Sequence, residues 1–226
     1  MNSSLGHKLE LVAPEHGDGA HRVGNVAAGA VPLCTAVQDD FVIYGLLDAA
    51  DARIGLPAHF RSLPILFYPG YEEAGRPLIY RADPVGDVLI VSQAEDRLDR
   101  AALIRSWPKP SGVFGACLTA LSEELAGILQ RVERGWYNQY RKLSAAERRY
   151  VEGECFGSGP FHQVGGPPLW LQKPIDASCP QCAQQLQYVL SLDSDSKAGW
   201  MFGDMGRLYV LVCRQCSVVL CDVQCT

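Results

Sequence analysis

Two cysteine pairs near the end of the chain constrain its fold more than any other feature. They are Cys179-Pro-Gln-Cys182 and Cys213-Arg-Gln-Cys216, with thirty residues between them. Two residues between cysteines allow both thiolates to face one point across a tight turn, and two such turns complete a tetrahedral sulfur site. The sequence therefore predicts one structural zinc ion, bound by Cys179, Cys182, Cys213 and Cys216.

The distribution of the cysteines favours metal binding over disulfides. Of the nine cysteines, six lie in the last 48 residues, and the other three, Cys34, Cys117 and Cys155, stand alone. A disulfide framework would be expected to span the whole chain, whereas clustered pairs in a reducing compartment are typical of metal sites. Four cysteine ligands leave no open coordination position, so we expect no catalytic zinc. Cys221 and Cys225 remain alternative ligands for the second pair.

Composition and net charge limit the cellular compartments and the kinds of binding partner that we expect. The chain has 226 residues, of which 48% are apolar, and no uninterrupted apolar run is long enough to span a membrane. The N-terminal residues show no secretory signal, so we expect a cytoplasmic protein. The net charge of −5 disfavours nonspecific binding to nucleic acids or anionic membranes and is compatible with a basic partner.

The first half of the chain reads as strands after a loose start. Residues 1–30 are rich in Gly, His and Ala without a clear period, and we expect them to be peripheral. Short runs of β-branched, Leu and aromatic residues, separated by Asp, Gly and Pro, then predict strands. These segments are 31–37, 41–47, 63–68, 77–81 and 87–91.

The middle of the chain is predicted to be helical. Ser92 and Glu95 form a possible capping box for a helix that ends at Trp107-Pro108. A second helix is predicted by apolar residues three and four apart, namely Phe114, Cys117, Leu118, Leu121, Leu125, Ile128, Leu129 and Val132. Ser144 and Glu147 predict a third, short helix over residues 145–151.

A shift to Gly and Pro after Gly153 predicts a subdomain boundary. Segments 186–192, 208–213 and 218–223 beyond it read as strands. We therefore predict an α+β fold with a strand-rich N-terminal part, a helical middle and a C-terminal zinc-supported β-subdomain. The boundaries would be 1–152 and 153–226, with both parts packed as one unit.

Sequence motifs around the cysteines carry a family resemblance. The first comprises Gly165, Gly166, Pro168, Trp170 and Gln172, and the second comprises Gly203, Asp204, Gly206, Leu208 and Tyr209. Together with the cysteine pairs, they resemble the YwqG-like family of bacterial proteins of unknown function. The resemblance covers residues 161–226 only. Each motif residue also has a structural explanation: Gly165 and Gly166 suit a turn with positive φ, Trp170 suits a core, and Asp204 suits a turn.

The resemblance implies protein binding. The YwqG-like family is distantly similar to programmed-cell-death-two-like proteins, which are chaperones for a ribosomal protein, and its bacterial members near polymorphic toxins look like immunity proteins. We therefore expect a non-enzymatic immunity protein that binds a toxin, for example a basic nuclease. The alternatives are a chaperone-like escort of a basic client, or an enzyme with a site near His162 and Asp204.

Residues 131–150 form a second candidate surface. They hold six basic and two acidic residues, interleaved with Trp136, Tyr137, Tyr140 and Tyr150. Such a pattern can mark a nucleic-acid interface. A solvated helical face with aromatic anchors is the favoured interpretation, and a protein interface is also compatible with this composition. Nucleic acid is therefore not the expected partner.

Overall fold

Antiparallel strands make up most of the structure. The computed structural model describes residues 5–24, 42–67, 77–82, 88–90, 110–132, 134–157 and 159–225. In chain order the strands are β1 (His7–Val12), β2 (Arg22–Gly24), β3 (Val42–Asp48), β4 (Ser62–Phe67), β5 (Leu78–Ala82), β6 (Val88–Ile90), β7 (Val113–Ala120), β8 (His162–Val164), β9 (Gln187–Asp193), β10 (Arg207–Val212) and β11 (Val218–Gln224).

The described strands form one nearly closed sheet. Their order is β4-β3-β2-β7-β1-β8-β9-β10-β11-β5-β6, and each pairing is antiparallel. The two ends approach each other, because the buried Tyr80 hydroxyl on β5 donates a hydrogen bond to the Pro64 carbonyl on β4. Seven predicted strand segments are confirmed, as β3 to β6 and β9 to β11. The segment 31–37 lies outside the described residues.

The start of the chain is part of the sheet. β1 pairs with β7 on one side and with β8 on the other, and Leu9 lies opposite both Leu118 and His162. Leu9 is buried in the main hydrophobic core. The expectation that residues 1–30 are peripheral is therefore wrong for β1, whose apolar residues Leu9 and Leu11 alternate with charged ones as in a strand.

Three α-helices lie in the described residues: α1 (Glu123–Arg131), α2 (Trp136–Gln139) and α3 (Ala145–Glu152). The predicted capping box of Ser144 and Glu147 is confirmed at α3. The predicted helix over 114–132 is wrong in its first half, which is β7. Ser122 begins α1 instead by accepting a hydrogen bond from the Leu125 amide at 3.0 Å. The helix predicted from Ser92 lies outside the described residues.

Strand β10 organises the core because both of its faces are buried. Leu208, Val210 and Val212 belong to the main hydrophobic cluster of the sheet. Tyr209 and Leu211, on the opposite face, belong to a second cluster with Trp170, Cys179 and Cys213. The helices cover a third cluster, whose members are Leu121, Leu125, Ile128, Leu129, Val132, Trp136, Leu143, Val151, Cys155, Phe161 and Leu169.

The fold class agrees with the α+β prediction in its coarse form, a strand-rich structure with few helices. The predicted three-part layout is not confirmed. β8 follows residue 153 yet pairs with β1 near the start of the chain, so strands from both sides of the predicted boundary share the sheet. The division into 1–152 and 153–226 stays a prediction. Among the described helices, none is both long and apolar enough to cross a membrane.

Two glycines in the helical layer provide a matched test of its packing. Gly135 has φ +102°, and a Cβ there would lie 1.6 Å from the Gln172 carbonyl oxygen, whereas a Cβ on the α1 residue Gly127 would meet nothing within 4 Å. We expect Gly135→Ala to lower the free energy of unfolding by more than about 2 kcal/mol. Gly127→Ala should raise it by about 1 kcal/mol. Denaturant unfolding of both variants checks this, and equal effects would contradict the described approach to Gln172.

Candidate metal centre

The sheet brings the two cysteine pairs to one place. Antiparallel pairing puts Gln187, at the start of β9, opposite Val212, at the end of β10. The first pair lies in the turn that precedes β9, and the second lies in the loop between β10 and β11. Each turn is closed by backbone hydrogen bonds, from Cys179 N to Gln184 O at 2.7 Å and from Cys213 N to Val218 O at 2.9 Å.

The four predicted ligands form one cluster. The sulfur atoms of Cys179, Cys182, Cys213 and Cys216 all lie within 4.8 Å of one another. Tetrahedral zinc with Zn–S bonds of about 2.3 Å separates its sulfur ligands by about 3.8 Å. The Cys182 and Cys213 sulfurs, 3.5 Å apart, are already close to that spacing. The cluster can therefore hold a metal ion after small side-chain movements.

Backbone amides donate hydrogen bonds to the sulfur of the first cysteine in each pair. The Gln181 amide donates to Cys179 Sγ at 3.4 Å, and the amides of Gln215 and Cys216 donate to Cys213 Sγ at 3.4 and 3.3 Å. Burial raises the pKa of the Cys179 thiol. Burial acts in the same direction on Cys213, but the two amides and neighbouring thiols outweigh it and lower the pKa of Cys213. A lower pKa favours the thiolate form of Cys213, which is the form that binds metal ions.

The remaining described cysteines contact other parts of the structure. Cys221 is buried on β11, with Sγ 3.8 Å from the Tyr80 hydroxyl, and Cys225 Sγ lies 3.9 Å from the Phe202 carbonyl. Cys155 is fully buried, and burial raises its pKa to about 12. The described cysteines form no disulfide. Neither Cys221 nor Cys225 belongs to the cluster of four cysteines that could hold a metal ion.

Glycine and glutamine residues within and next to the first motif hold loops in place. Gly165 and Gly166 have φ values of +62° and +66°, as expected for a turn of this kind. The buried Gln163 spans this turn: its side-chain amide donates to the carbonyls of Gly165 and Pro167, and its oxygen accepts from Leu169 N. The side chain of Gln172 donates to the Cys225 carbonyl at 2.7 Å.

A buried ion pair beneath this turn was not predicted from the sequence. Arg207 is fully buried and donates to both carboxylate oxygens of Asp193, at 2.9 and 3.0 Å, and to the Leu169 carbonyl at 3.2 Å. The Tyr209 hydroxyl donates to the same carbonyl at 2.7 Å. Burial alone would lower the pKa of Arg207, but Asp193 raises it. A single arginine at the start of a strand gives no sequence signal of such a role.

The two residues of the enzyme alternative occupy different environments. His162 is buried; its Nδ1 accepts from the Asp193 amide at 3.0 Å, and its Nε2 lies 3.5 Å from Asp195 Oδ2. That imidazole is the main influence that lowers the pKa of Asp195. Asp204 is exposed in the turn before β10. Neither His162 nor Asp204 lines either of two cavities of about 550 and 410 Å³ in the described part of the chain.

The basic segment 131–150 packs three of its four aromatic residues against the core, whereas Tyr137 is exposed. Trp136 is buried, and Tyr140 and Tyr150 pack on the same cluster. Arg148 lies over the Tyr140 ring at 5.1 Å, and Arg131 pairs with Glu147. The other basic residues, Arg134, Arg141, Lys142 and Arg149, are exposed.

Comparison with known proteins identifies one family that the chain matches. A model described as a domain of unknown function (DUF1963) matches residues 84–216, more than half of the chain and all four clustered cysteines. No curated protein sequence matches the chain. The match agrees with the expected family of unknown function, and it confirms neither the YwqG-like resemblance nor the link to programmed-cell-death-two-like proteins.

The first cysteine turn contains a strained residue that can be tested. Ala183, directly after Cys182, has φ +58°, whereas Ser217, the equivalent residue after Cys216, is outside the positive region. We expect Ala183→Gly to stabilise the protein by about 0.5–1 kcal/mol, because the left-handed conformation costs alanine about 1–2 kcal/mol and glycine's extra entropy offsets part of the gain. Ser217→Gly should destabilise it. Thermal unfolding of both variants measures the difference, and stabilisation by both would disprove the explanation.

Proposed function

The chain belongs to the DUF1963 family, whose function is unknown, and from this premise we propose that it is a non-enzymatic protein that binds and neutralises a cognate toxin. The observation that carries the proposal is the role of the motif side chains. The motif residues Gln172 and Tyr209 hydrogen-bond to backbone groups of the chain itself, as does Gln163 just before the first motif, and the glycines shape turns. These residues act as a scaffold, which suits a binding protein whose contact surface lies elsewhere.

We propose that the clustered cysteines hold structural zinc. Four cysteine sulfurs lie close enough together to coordinate one ion tetrahedrally. Zinc prefers such sites, in which all four ligands are protein sulfurs. When bound, the ion would supply a cross-link between the turn before β9 and the loop after β10. A site with four protein ligands has no position for a substrate, which supports a structural role.

Metal analysis and cysteine substitution test this assignment together. Elemental analysis of protein purified without added metal should find one zinc per chain, and Cys179→Ser or Cys213→Ser should abolish it. Because structural zinc contributes on the order of 10 kcal/mol in small zinc modules, both variants should lose most of their thermal stability.

The matched control is Cys117→Ser, at a half-buried cysteine whose thiol contacts the His16 carbonyl. It should retain the metal and lose far less stability. Equal melting temperatures for the three variants would overturn the assignment, as would wild-type protein that contains no metal.

The charge of the chain supports a basic partner. Its net charge is −5, and intracellular toxins that attack nucleic acids are commonly basic. An acidic binder gains electrostatic steering toward such a toxin and can block its nucleic-acid groove. In this proposal the complex forms in the cytoplasm. The resemblance of residues 161–226 to the YwqG-like family, with its immunity-protein and chaperone associations, is the second support.

Co-expression tests the immunity role. The chain should restore growth when it is produced together with a toxic product of a neighbouring gene, and the two purified proteins should form a complex. Because steering by charge is screened by salt, the association rate constant should fall several-fold between about 0.05 and 0.5 M salt.

The Gly127→Ala variant, which should be fully folded, serves as the positive control for survival. If no neighbouring product is toxic, or if protection occurs without a complex, the immunity role is wrong. A complex with a non-toxic basic protein would instead favour the chaperone-like escort.

A further inference from the structure

Exposed apolar side chains converge on one cavity of the protein. Among the described residues, six large apolar side chains are at least 40% exposed. Four of the six line a single cavity of about 410 Å³: Tyr137, Phe156, Met201 and Met205. The other two, Leu5 and Val113, do not line it. Scattered exposed apolar residues are ordinary, whereas a cluster in a concave site marks a binding surface.

Three segments supply the exposed apolar side chains of the cavity. Tyr137 comes from α2, Phe156 from the π-helical turn Gly153–Gly157, and the two methionines from the loop between β9 and β10. The Phe156 ring packs against Trp136 at 5.5 Å, so its position is supported from behind. Trp200, in the wall, donates from Nε1 to the Asp193 carbonyl at 2.8 Å. The walls are thus fixed, and the methionines supply an adaptable rim.

The polar groups of the cavity suit a peptide. Asp193 is the charged residue of its lining, and its carboxylate accepts from Arg207 and from the Phe161 amide, so this charge is already compensated. Tyr137 and Ser196 also line the cavity. Their hydroxyls make no hydrogen bond within the described residues, so they can bond to a peptide backbone.

Of the three exposed charged residues directly next to lining residues in the chain, two are acidic. Glu154 is exposed next to Cys155, and Asp204 is exposed next to Met205. Lys197, which follows the lining residue Ser196, is an exposed basic residue. Asp195, which precedes Ser196, is buried against His162. This balance, in a chain of net charge −5, complements a segment with a lysine or arginine.

We propose that this cavity docks an extended segment of the partner protein that carries one or two large apolar side chains beside a lysine or arginine. The assignment rests on the proposed protein-binding function and names the surface that performs it. A cavity of this size is at the lower end of those that bury drug-sized ligands, about the volume of two large side chains. Aromatic residues and methionine are enriched at protein interfaces, and methionine adapts to varied apolar partners.

Peptide selection tests the proposal whatever the partner protein is. A displayed library of random twelve-residue peptides is selected on the immobilised full chain, and the enriched peptides are synthesised. They should contain a Phe, Leu, Met or Trp next to a Lys or Arg. Phe156→Ser/Met205→Ser should weaken their binding at least tenfold, because it removes two exposed apolar walls.

The matched control is Leu5→Ser/Val113→Ser, which removes two similarly exposed apolar side chains away from the cavity. It should leave the peptide affinity unchanged, and thermal unfolding of both double variants shows that they are folded. Replacing the basic residue of a selected peptide by Glu should also weaken binding.

Each contrary result has a distinct meaning. Enrichment that is equal on the wild type and on Phe156→Ser/Met205→Ser, or enriched peptides that are acidic, would overturn the docking site. A toxin that binds Phe156→Ser/Met205→Ser as tightly as the wild type would also overturn it while leaving the immunity role intact. Peptides that bind in the cavity of a chain that protects against no toxin would leave the docking site standing and remove the immunity role.

Discussion

The pairing of β9 with β10 positions both the cysteine cluster and the buried Arg207–Asp193 ion pair. At one end of this antiparallel pair, Gln187 lies opposite Val212, and the two cysteine turns meet beyond them. At the other end, Asp193 lies opposite Arg207, and the buried ion pair forms there. A register shift between Val210 and Leu211 allows both ends to be satisfied. A slip of one residue would turn every side chain to the other face and separate both sets of partners.

The Arg207–Asp193 ion pair also holds neighbouring segments of the structure in place. Arg207 and Tyr209 both donate to the Leu169 carbonyl, so one strand holds the loop that contains Gly165, Gly166 and Trp170. Removing one partner of a buried pair leaves an uncompensated charge and commonly costs about 3–5 kcal/mol. The Asp193 carboxylate also binds the Phe161 amide. The loop, β8 and the wall of the apolar cavity therefore depend on a single charged pair.

Local chemistry explains which features could be predicted from the sequence. The cysteine turns and the capping box of Ser144 are encoded within a few residues, so their prediction does not depend on the rest of the chain. Strands β1 and β7 depend on each other, because each supplies the hydrogen bonds of its neighbour along six residue pairs. Apolar spacing at 114–121 was compatible with a helix, and only the pairing partner decides the outcome. The roles of Arg207 and Gln163 were missed for the same reason: their partners are distant in sequence or lie on the backbone.

The two ends of β9 and β10 would have different roles under the proposed protein-binding function. The cysteine cluster and the motif loop are bound into the fold by backbone hydrogen bonds and burial, so substitutions there cost stability before they alter recognition. The cavity wall differs, because Tyr137, Phe156, Met201 and Met205 are each between 42% and 64% exposed and do not belong to the buried core. If the cavity docks a partner as proposed, substitutions at these four positions would change the fit to that partner at small cost in folding free energy. A rigid scaffold with a few replaceable apolar contacts at its edge is what a protein needs when its fold must persist while its target varies.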